Sequence, residues 1–352
     1  MSMNKRIPRN FLLIISIVFL ITELGCEENE RYYRPNLLEK LCCIGIIDID
    51  DTTLRHISFE KSYQIEYADE VNDSLRELNF TISSAVGEIF RYQSDSTMKT
   101  LKNYKIPDSV AFNSGERYFI RAKDKDMPEI SAEAKVPGLP PAIIYNSMHY
   151  EEIDLSEPKE CITGWDHNII RLAVINISFN INTDENNKYF ALLISAAGAS
   201  YTSLPPWFTE FRFLDFFIRG GNTSGFLAEM YGLKMRHWLC KDDRLYTFES
   251  PVYAYFIENS KIEGNRSDLE IVIQYSDSYS LFDYLTSVRI KLFSIPENLY
   301  EFEKSIYTYN QTSRDPFTEP VYLEGNIKGG NGIFAVCRSS AITIELPFPT
   351  VQ

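Results

Sequence analysis

The residue with the clearest chemistry in this chain is a thiol near the N-terminus. Gly25 precedes Cys26, and a small residue then a cysteine after an apolar run is the pattern that lipoprotein processing acts on. The thiolate becomes a thioether to a diacylglycerol, cleavage before Cys26 frees its α-amine, and the amine accepts a further acyl chain. Several chains matter, since a single chain gives only marginal membrane binding at about 0.8 kcal/mol per buried methylene. Lys5, Arg6 and Arg9 form a positive leader and Phe11–Thr22 an apolar run. That run is too short to span a bilayer, which takes about 20 apolar residues. Glu23 stands where the usual pattern has leucine, three residues before the cysteine. The expectation is a signal over residues 1–25, an acylated Cys26, and a lipid-anchored protein exposed on the outer membrane. The acidic Glu27, Glu28 and Glu30 open a tether over residues 26–40.

Other reactive side chains are dispersed. Asp48, Asp50 and Asp51 sit at a strand end, and Asp184-Glu185 in a loop. Calcium takes several oxygen ligands, but no EF-hand spacing is present, so these are read as solvated turn carboxylates. His56, His149, His167 and His237 are scattered, and the neighbours Asp166-His167 are badly placed to face each other. No G-x-S-x-G or H-E-x-x-H occurs. The expectation is therefore no catalytic residues, no metal, and no cofactor beyond the covalent lipid. With Cys26 set aside, Cys42, Cys43, Cys161, Cys240 and Cys337 leave an odd count, so at least one stays a free thiol or bonds another chain. On a strand, Cys42 and Cys43 would point to opposite faces. Cys161 and Cys240, both in polar surroundings, are the expected disulfide.

Two segments could bind something. Trp207, Phe208, Phe211 and Phe213 lie in an aromatic insert over about 201–240 and form the candidate binding surface, since such rings concentrate in binding hot spots. The competing reading is that these rings cover a core. The glycine-rich run Asn326–Gly332 could offer backbone amides to an anion, yet it is not a P-loop. Asn326, Gly329, Gly330 and Gly332 are read as a structural turn.

The elements that must carry these residues are mostly strands. Leu41–Asp48, Ser58–Tyr67, Val86–Tyr92, Tyr118–Ala122 and Ile130–Val136 are short alternating runs, and they suggest an immunoglobulin- or fibronectin-like β-sandwich over 41–137. Pro137-Gly138-Leu139-Pro140-Pro141 interrupts the pattern. A larger β-rich domain is expected over 142–352, with strands at Arg171–Ile181, Tyr189–Ala197, Tyr253–Glu258, Leu269–Tyr275, Ser287–Phe293 and Ile342–Leu346. One C-terminal helix should start at Pro296 and bury Leu299, Phe302, Ile306 and Tyr309. The fold class is mainly β. The net charge is −14 over 352 residues; residues 1–25 hold three cations and one carboxylate, so the remainder carries −16. That excludes nucleic acid as a natural partner and argues against electrostatic adhesion to anionic lipid.

The stretches Gly115-Glu116-Arg117-Tyr118 and Ile130–Pro137 resemble a known family. So do Tyr307–Asn310, Phe317, Glu319-Pro320-Val321 and Gly325–Phe334. With the lipoprotein start, they are similar to the Bacteroidetes surface lipoproteins named domain of unknown function 4249. The resemblance covers nearly the whole exported chain except the aromatic insert. It implies a surface lipoprotein encoded beside a TonB-dependent outer-membrane receptor, and so a β-barrel partner, with no assigned activity. The expected role is a non-catalytic accessory or substrate-binding component of nutrient uptake. A structural or adhesive module and a surface hydrolase are the alternative readings.

Overall fold

The computed structural model describes residues 40–62, 75, 77–94, 103–125, 127–154, 169–181, 187–198, 216–219, 223–236, 249–276, 285–312 and 323–346. The strands are Lys40–Asp48 (β1), Arg55–Ser62 (β2), Asn79–Ser84 (β3), Gly87–Gln93 (β4), Asn103–Lys105 (β5), Arg117–Lys123 (β6), Ile130–Lys135 (β7) and Ile143–Asp154 (β8). They continue with Ile169–Asn180 (β9), Tyr189–Gly198 (β10), Phe216–Arg219 (β11), Thr223–Arg236 (β12), Glu249–Ile262 (β13), Arg266–Ser276 (β14), Leu285–Ile295 (β15) and Asn331–Glu345 (β16). Glu297–Thr312 is the α-helix, α1. The protein is mainly β, with several sheets and one C-terminal helix.

The strands form one eight-stranded sheet, ordered β12-β13-β10-β15-β16-β1-β2-β5, and two four-stranded sheets, β11-β14-β9-β8 and β4-β3-β6-β7. The long strand β16 joins the architecture. Its first half pairs in parallel with β1, from Cys42 opposite Asn331 to Asp48 opposite Cys337. Its second half pairs antiparallel with β15, from Ser294 opposite Arg338 to Ser287 opposite Glu345. The eight-stranded sheet therefore passes the Pro137–Pro141 break without interruption.

Alternation decides which way each strand faces. Leu41, Cys43, Ile57, Phe59, Phe334 and Val336 meet Phe80, Ile82, Tyr118 and Ile120 of the β4-β3-β6-β7 sheet in one core. Phe59 and Phe80 pack with ring centroids 5.0 Å apart, and Tyr104 meets Phe80 edge-on at 5.2 Å. A second core joins Ile175, Ile177, Phe179 and Ile271 to Phe190, Leu192, Ile290 and Leu292. A fully buried side chain of this size contributes about 1.5–3 kcal/mol. The opposite face of the eight-stranded sheet is covered by α1, whose Leu299, Tyr300, Phe302 and Ile306 pack on Ile46, Leu193, Phe256, Phe293 and Ala335.

Several expected elements shift. The strand expected at Ser58–Tyr67 begins at Arg55, and residues 63–67 lie outside the described residues. The strand expected at Ile342–Leu346 starts eleven residues earlier, at Asn331. Gly332 made that stretch look like a turn, and the partner that extends it, β1, lies almost 300 residues away in sequence. Tyr309 is exposed, because α1 has no buried residue after Ile306. Pro296 precedes the helix and its carbonyl accepts the amides of Leu299 and Tyr300 at 3.1 and 3.2 Å. Within the expected insert, β11 and β12 are strands of two different sheets.

Candidate functional site

Polar groups converge at several places among the described residues. The first lies where β16 changes partners. Asp48, at the end of β1, is fully buried, and its Oδ2 receives Lys291 Nζ at 2.6 Å and Ser339 Oγ at 2.7 Å. The Asp50 amide donates to its Oδ1 at 3.0 Å. Lys291 also reaches Asp51 at 2.8 Å, and its ammonium sits 4.8 Å from the Phe293 ring centroid. Arg338 grips Asp50 with two bonds, of 2.9 and 3.1 Å, a geometry that suits a guanidinium and a carboxylate. The Ser339 amide donates to Asp50 Oδ2 at 2.9 Å. That bond occupies a β16 backbone group just past the end of β1. Arg55 donates to the carbonyls of Asp48, Ile49 and Val110 at 3.1, 2.7 and 3.1 Å.

This corrects the reading of Asp48 and Asp51 as solvated turn carboxylates, while Asp50 remains exposed and is paired with Arg338. Asp48 is buried among cations supplied by β15 and β16, more than 240 residues downstream. Burial pushes its carboxyl above the ordinary value and Lys291 pulls it back down, with burial the larger effect. The signal that could have found Lys291 is a lysine on the face of β15 that otherwise carries Phe293 and Ile295 toward the helix. Among the described residues no group of three or more His, Cys, Asp and Glu is placed to hold a metal ion.

The second place is a cleft of about 690 Å3 between the start of β6, the end of β7, the start of β10, the end of β15 and the beginning of α1. Such a volume lies in the range of small-ligand sites. Arg117, Lys135 and Lys188 face it together with Glu133, Glu297, Glu301 and Glu324. Arg117 pairs with Glu133 at 2.5 Å. Tyr189 donates to Glu297 at 3.3 Å and stacks on Tyr300 at 4.4 Å. Its phenol is pushed up to about 12 by burial and then by the Glu297 carboxylate, so it remains a donor.

Two motif segments meet beside this cleft. In Gly115–Tyr118, the Tyr118 hydroxyl accepts the Asn113 amide at 2.6 Å and donates to Glu116 at 3.0 Å. A tyrosine at the start of a strand bonded to backbone a few residues upstream is the tyrosine corner of immunoglobulin-like sandwiches. In the glycine-rich segment, Asn326 Nδ2 donates to the carbonyls of Glu133 and Phe334 at 2.9 and 2.8 Å, while its Oδ1 accepts the Phe334 amide at 2.8 Å. Lys328 and Ser131 exchange backbone bonds of 2.7 and 3.0 Å. The segment therefore ties β7 to β16 and closes the side of the first sandwich. Gly332 has φ +106°, and a Cβ there would overlap the Cys43 carbonyl oxygen. At Gly330 a Cβ would overlap the Leu41 carbonyl oxygen, and Gly329 adopts φ +81°.

The remaining expected residues divide plainly. Cys26, Trp207, Phe208, Phe211, Phe213, the Cys161–Cys240 pair, Asp166-His167 and Asp184-Glu185 lie outside the described residues. Cys43 and Cys337 are fully buried free thiols and Cys42 is half-buried. Burial raises both buried thiols, with Cys42 adding to the effect on Cys43 and Asp48 to that on Cys337. His149 is exposed and lies 3.2 Å from Glu151.

One solved structure with a detectable likeness is the major pilin SpaA of Corynebacterium diphtheriae, at 7% identity over 72% of this chain and with a TM-score of 0.20. The chain spans 62% of that pilin's length, and a likeness at this level carries no argument. No curated protein matches the chain in sequence. The model of the family described as Domain of unknown function (DUF4249) matches residues 28–343, and the chain belongs to that family.

Proposed function

We propose that this chain is an outer-membrane surface lipoprotein, held by acylated Cys26, that serves as a non-catalytic accessory or substrate-binding component of a TonB-dependent uptake system. The observation that carries the reading is the junction at Gly25-Cys26. A charged leader and a short apolar run end there, and the family region begins at residue 28, directly after it. The first strand, β1, begins at Lys40, which leaves the residues after Cys26 to serve as the tether that a surface-anchored protein requires. The cleft beside α1, with its opposed charges, supports binding of a small polar ligand. A β-barrel receptor in the same membrane is the partner that such delivery needs.

The decisive experiment is fractionation of cells expressing Cys26→Ser beside the parent protein. The parent should sediment with the outer membrane and the variant should not; a variant that stays membrane-bound overturns the anchor. Pull-down of the parent from detergent-solubilised membrane tests the partner. A co-purifying β-barrel is the expected result, and retained cell adhesion without one would favour the adhesive alternative.

A further inference from the structure

Charge is unevenly spread over this acidic protein. The outer face of the β4-β3-β6-β7 sheet runs against the overall balance. On β6 the outward residues are Arg117, Phe119, Arg121 and Lys123, so every exposed position on that strand is cationic. Register places Arg91 and Arg121 on either side of Thr81, and Gln93 and Lys123 on either side of Asn79. Lys135 lies opposite Arg117 on the next strand. Strands are 4.7–4.9 Å apart, so Arg91 and Arg121 rise from positions roughly 10 Å apart with a hydroxyl between them. Asn79, Thr81, Arg91, Gln93, Arg121, Lys123 and Glu129 line a shallow groove of about 340 Å3.

The carboxylates on this face cancel it only in part. Arg91 is neutralised by Glu88 at 2.6 Å and Arg117 by Glu133 at 2.5 Å, which leaves Arg121, Lys123 and Lys135 against Glu129. Among the described residues no ion pair is formed by Arg121, Lys123 or Lys135. The ladder holds the backbones of these cations side by side on one solvent-facing surface. An open face of this width matches a layer of anionic groups better than one enclosed anion.

The occupant follows from where the chain enters. β1 begins at Lys40, and Gly330 brings Leu41 beside Ile130, the start of β7. Ile130 lies opposite Ala122, next to Lys123. The first strand therefore starts at the Lys123 end of the basic face. Covalent geometry keeps Lys40 within roughly 50 Å of Cys26, fourteen residues before it. We infer that the outer face of this sheet docks on the anionic headgroup layer of the membrane that carries the tether, with Arg121 and Lys123 as its central contacts. The choice of occupant rests on the anchored reading above; the charge segregation does not. Overall charge argues against such adhesion, but the acidic remainder would be repelled from the same surface, so the two together orient the molecule. The interaction sets orientation rather than retention, which the acyl chains supply.

The test uses the full chain with Cys26→Ser, so that binding does not come from lipid. Sedimentation with phosphatidylglycerol-containing vesicles should exceed that with phosphatidylcholine vesicles and should fall as salt is raised. Arg121→Glu with Lys123→Glu should weaken binding at least about 25-fold, roughly five-fold for each cation lost. Lys105→Glu, on β5 of the other sheet, should change it less than about two-fold. Arg121→Gln with Lys123→Gln provides the milder pair, and unchanged melting of both pairs verifies folding. The inference is overturned by equal binding to both vesicle types, or by an equal effect from Lys105→Glu. Displacement by inorganic phosphate but not by chloride at matched ionic strength also overturns it, since the face would then hold a discrete anion. Failure here leaves the anchor standing, because fractionation of Cys26→Ser cells tests that separately.

Discussion

Lys291→Met is the most informative perturbation of the fold. Lys291 is the shared partner of Asp48 and Asp51, at 2.6 and 2.8 Å, and its side chain is only 5% exposed. Methionine fills much of the same volume beside Phe293, so the loss is electrostatic. Asp48 would remain buried with Ser339 Oγ and the Asp50 amide but no cation. Breaking a buried pair by removing one partner costs about 3–5 kcal/mol. At about 2 °C per kcal/mol for a chain of this size, melting should fall by roughly 6–10 °C. The pH dependence has a definite sign. Burial already holds the Asp48 carboxyl above its ordinary value, and Lys291 is the main force lowering it. Without Lys291 the folded-state value climbs further, so the native state takes up a proton more readily than the unfolded chain. The stability linked to that proton is present below the ordinary carboxylate range and is lost as pH rises through the raised folded value. The deficit of Lys291→Met should therefore be larger in mildly alkaline than in mildly acidic buffer. Asp48→Asn combined with Lys291→Met should recover much of the loss, because removing both charges leaves none buried alone. Differential scanning calorimetry of the three proteins checks this. A single variant melting with the parent, or a double variant no more stable than the single, would refute the reasoning.

Other outcomes follow from the same geometry. Asn326→Ala removes three bonds that tie β7 to β16 and should cost about 2–4 kcal/mol, with faster hydrogen exchange at the Phe334 amide. Gly332→Ala forces a Cβ onto the Cys43 carbonyl at a positive φ and should sharply lower folded yield, read by purification and circular dichroism. Cys43 and Cys337 should resist alkylation in the native protein while Cys42 reacts faster; mass mapping after mild iodoacetamide treatment shows the order, and all three should react equally once denatured.

Much of the β-architecture was legible because its cause is local. In β9, Ile175, Ile177 and Phe179 alternate with Asn176, Ser178 and Asn180, and the core-facing side of a strand enforces that pattern whatever the partner strand. The helix was legible from the spacing of Leu299, Phe302 and Ile306 and from Pro296 ahead of it. The tyrosine corner was visible as a motif, although its meaning came only with the Asn113 bond.

What the sequence by itself determined is the alternating strands, the helix and the turn chemistry of Asn326–Gly332, each set by residues within a few positions of one another. Only the tertiary structure decided the rest. The parallel pairing of β1 with β16 joins opposite ends of the folded region, and backbone ladders carry no residue code for a distant partner. The Asp48–Lys291 pair spans 243 residues, so Asp48 and Asp51 read as solvated until β15 brought Lys291 to them. The basic face was equally hidden, since Arg91, Arg121 and Lys123 come from two strands whose register across β3 alone sets them side by side. A chain-wide charge of −14 averages over such arrangements, and only folding decides where each sign is exposed.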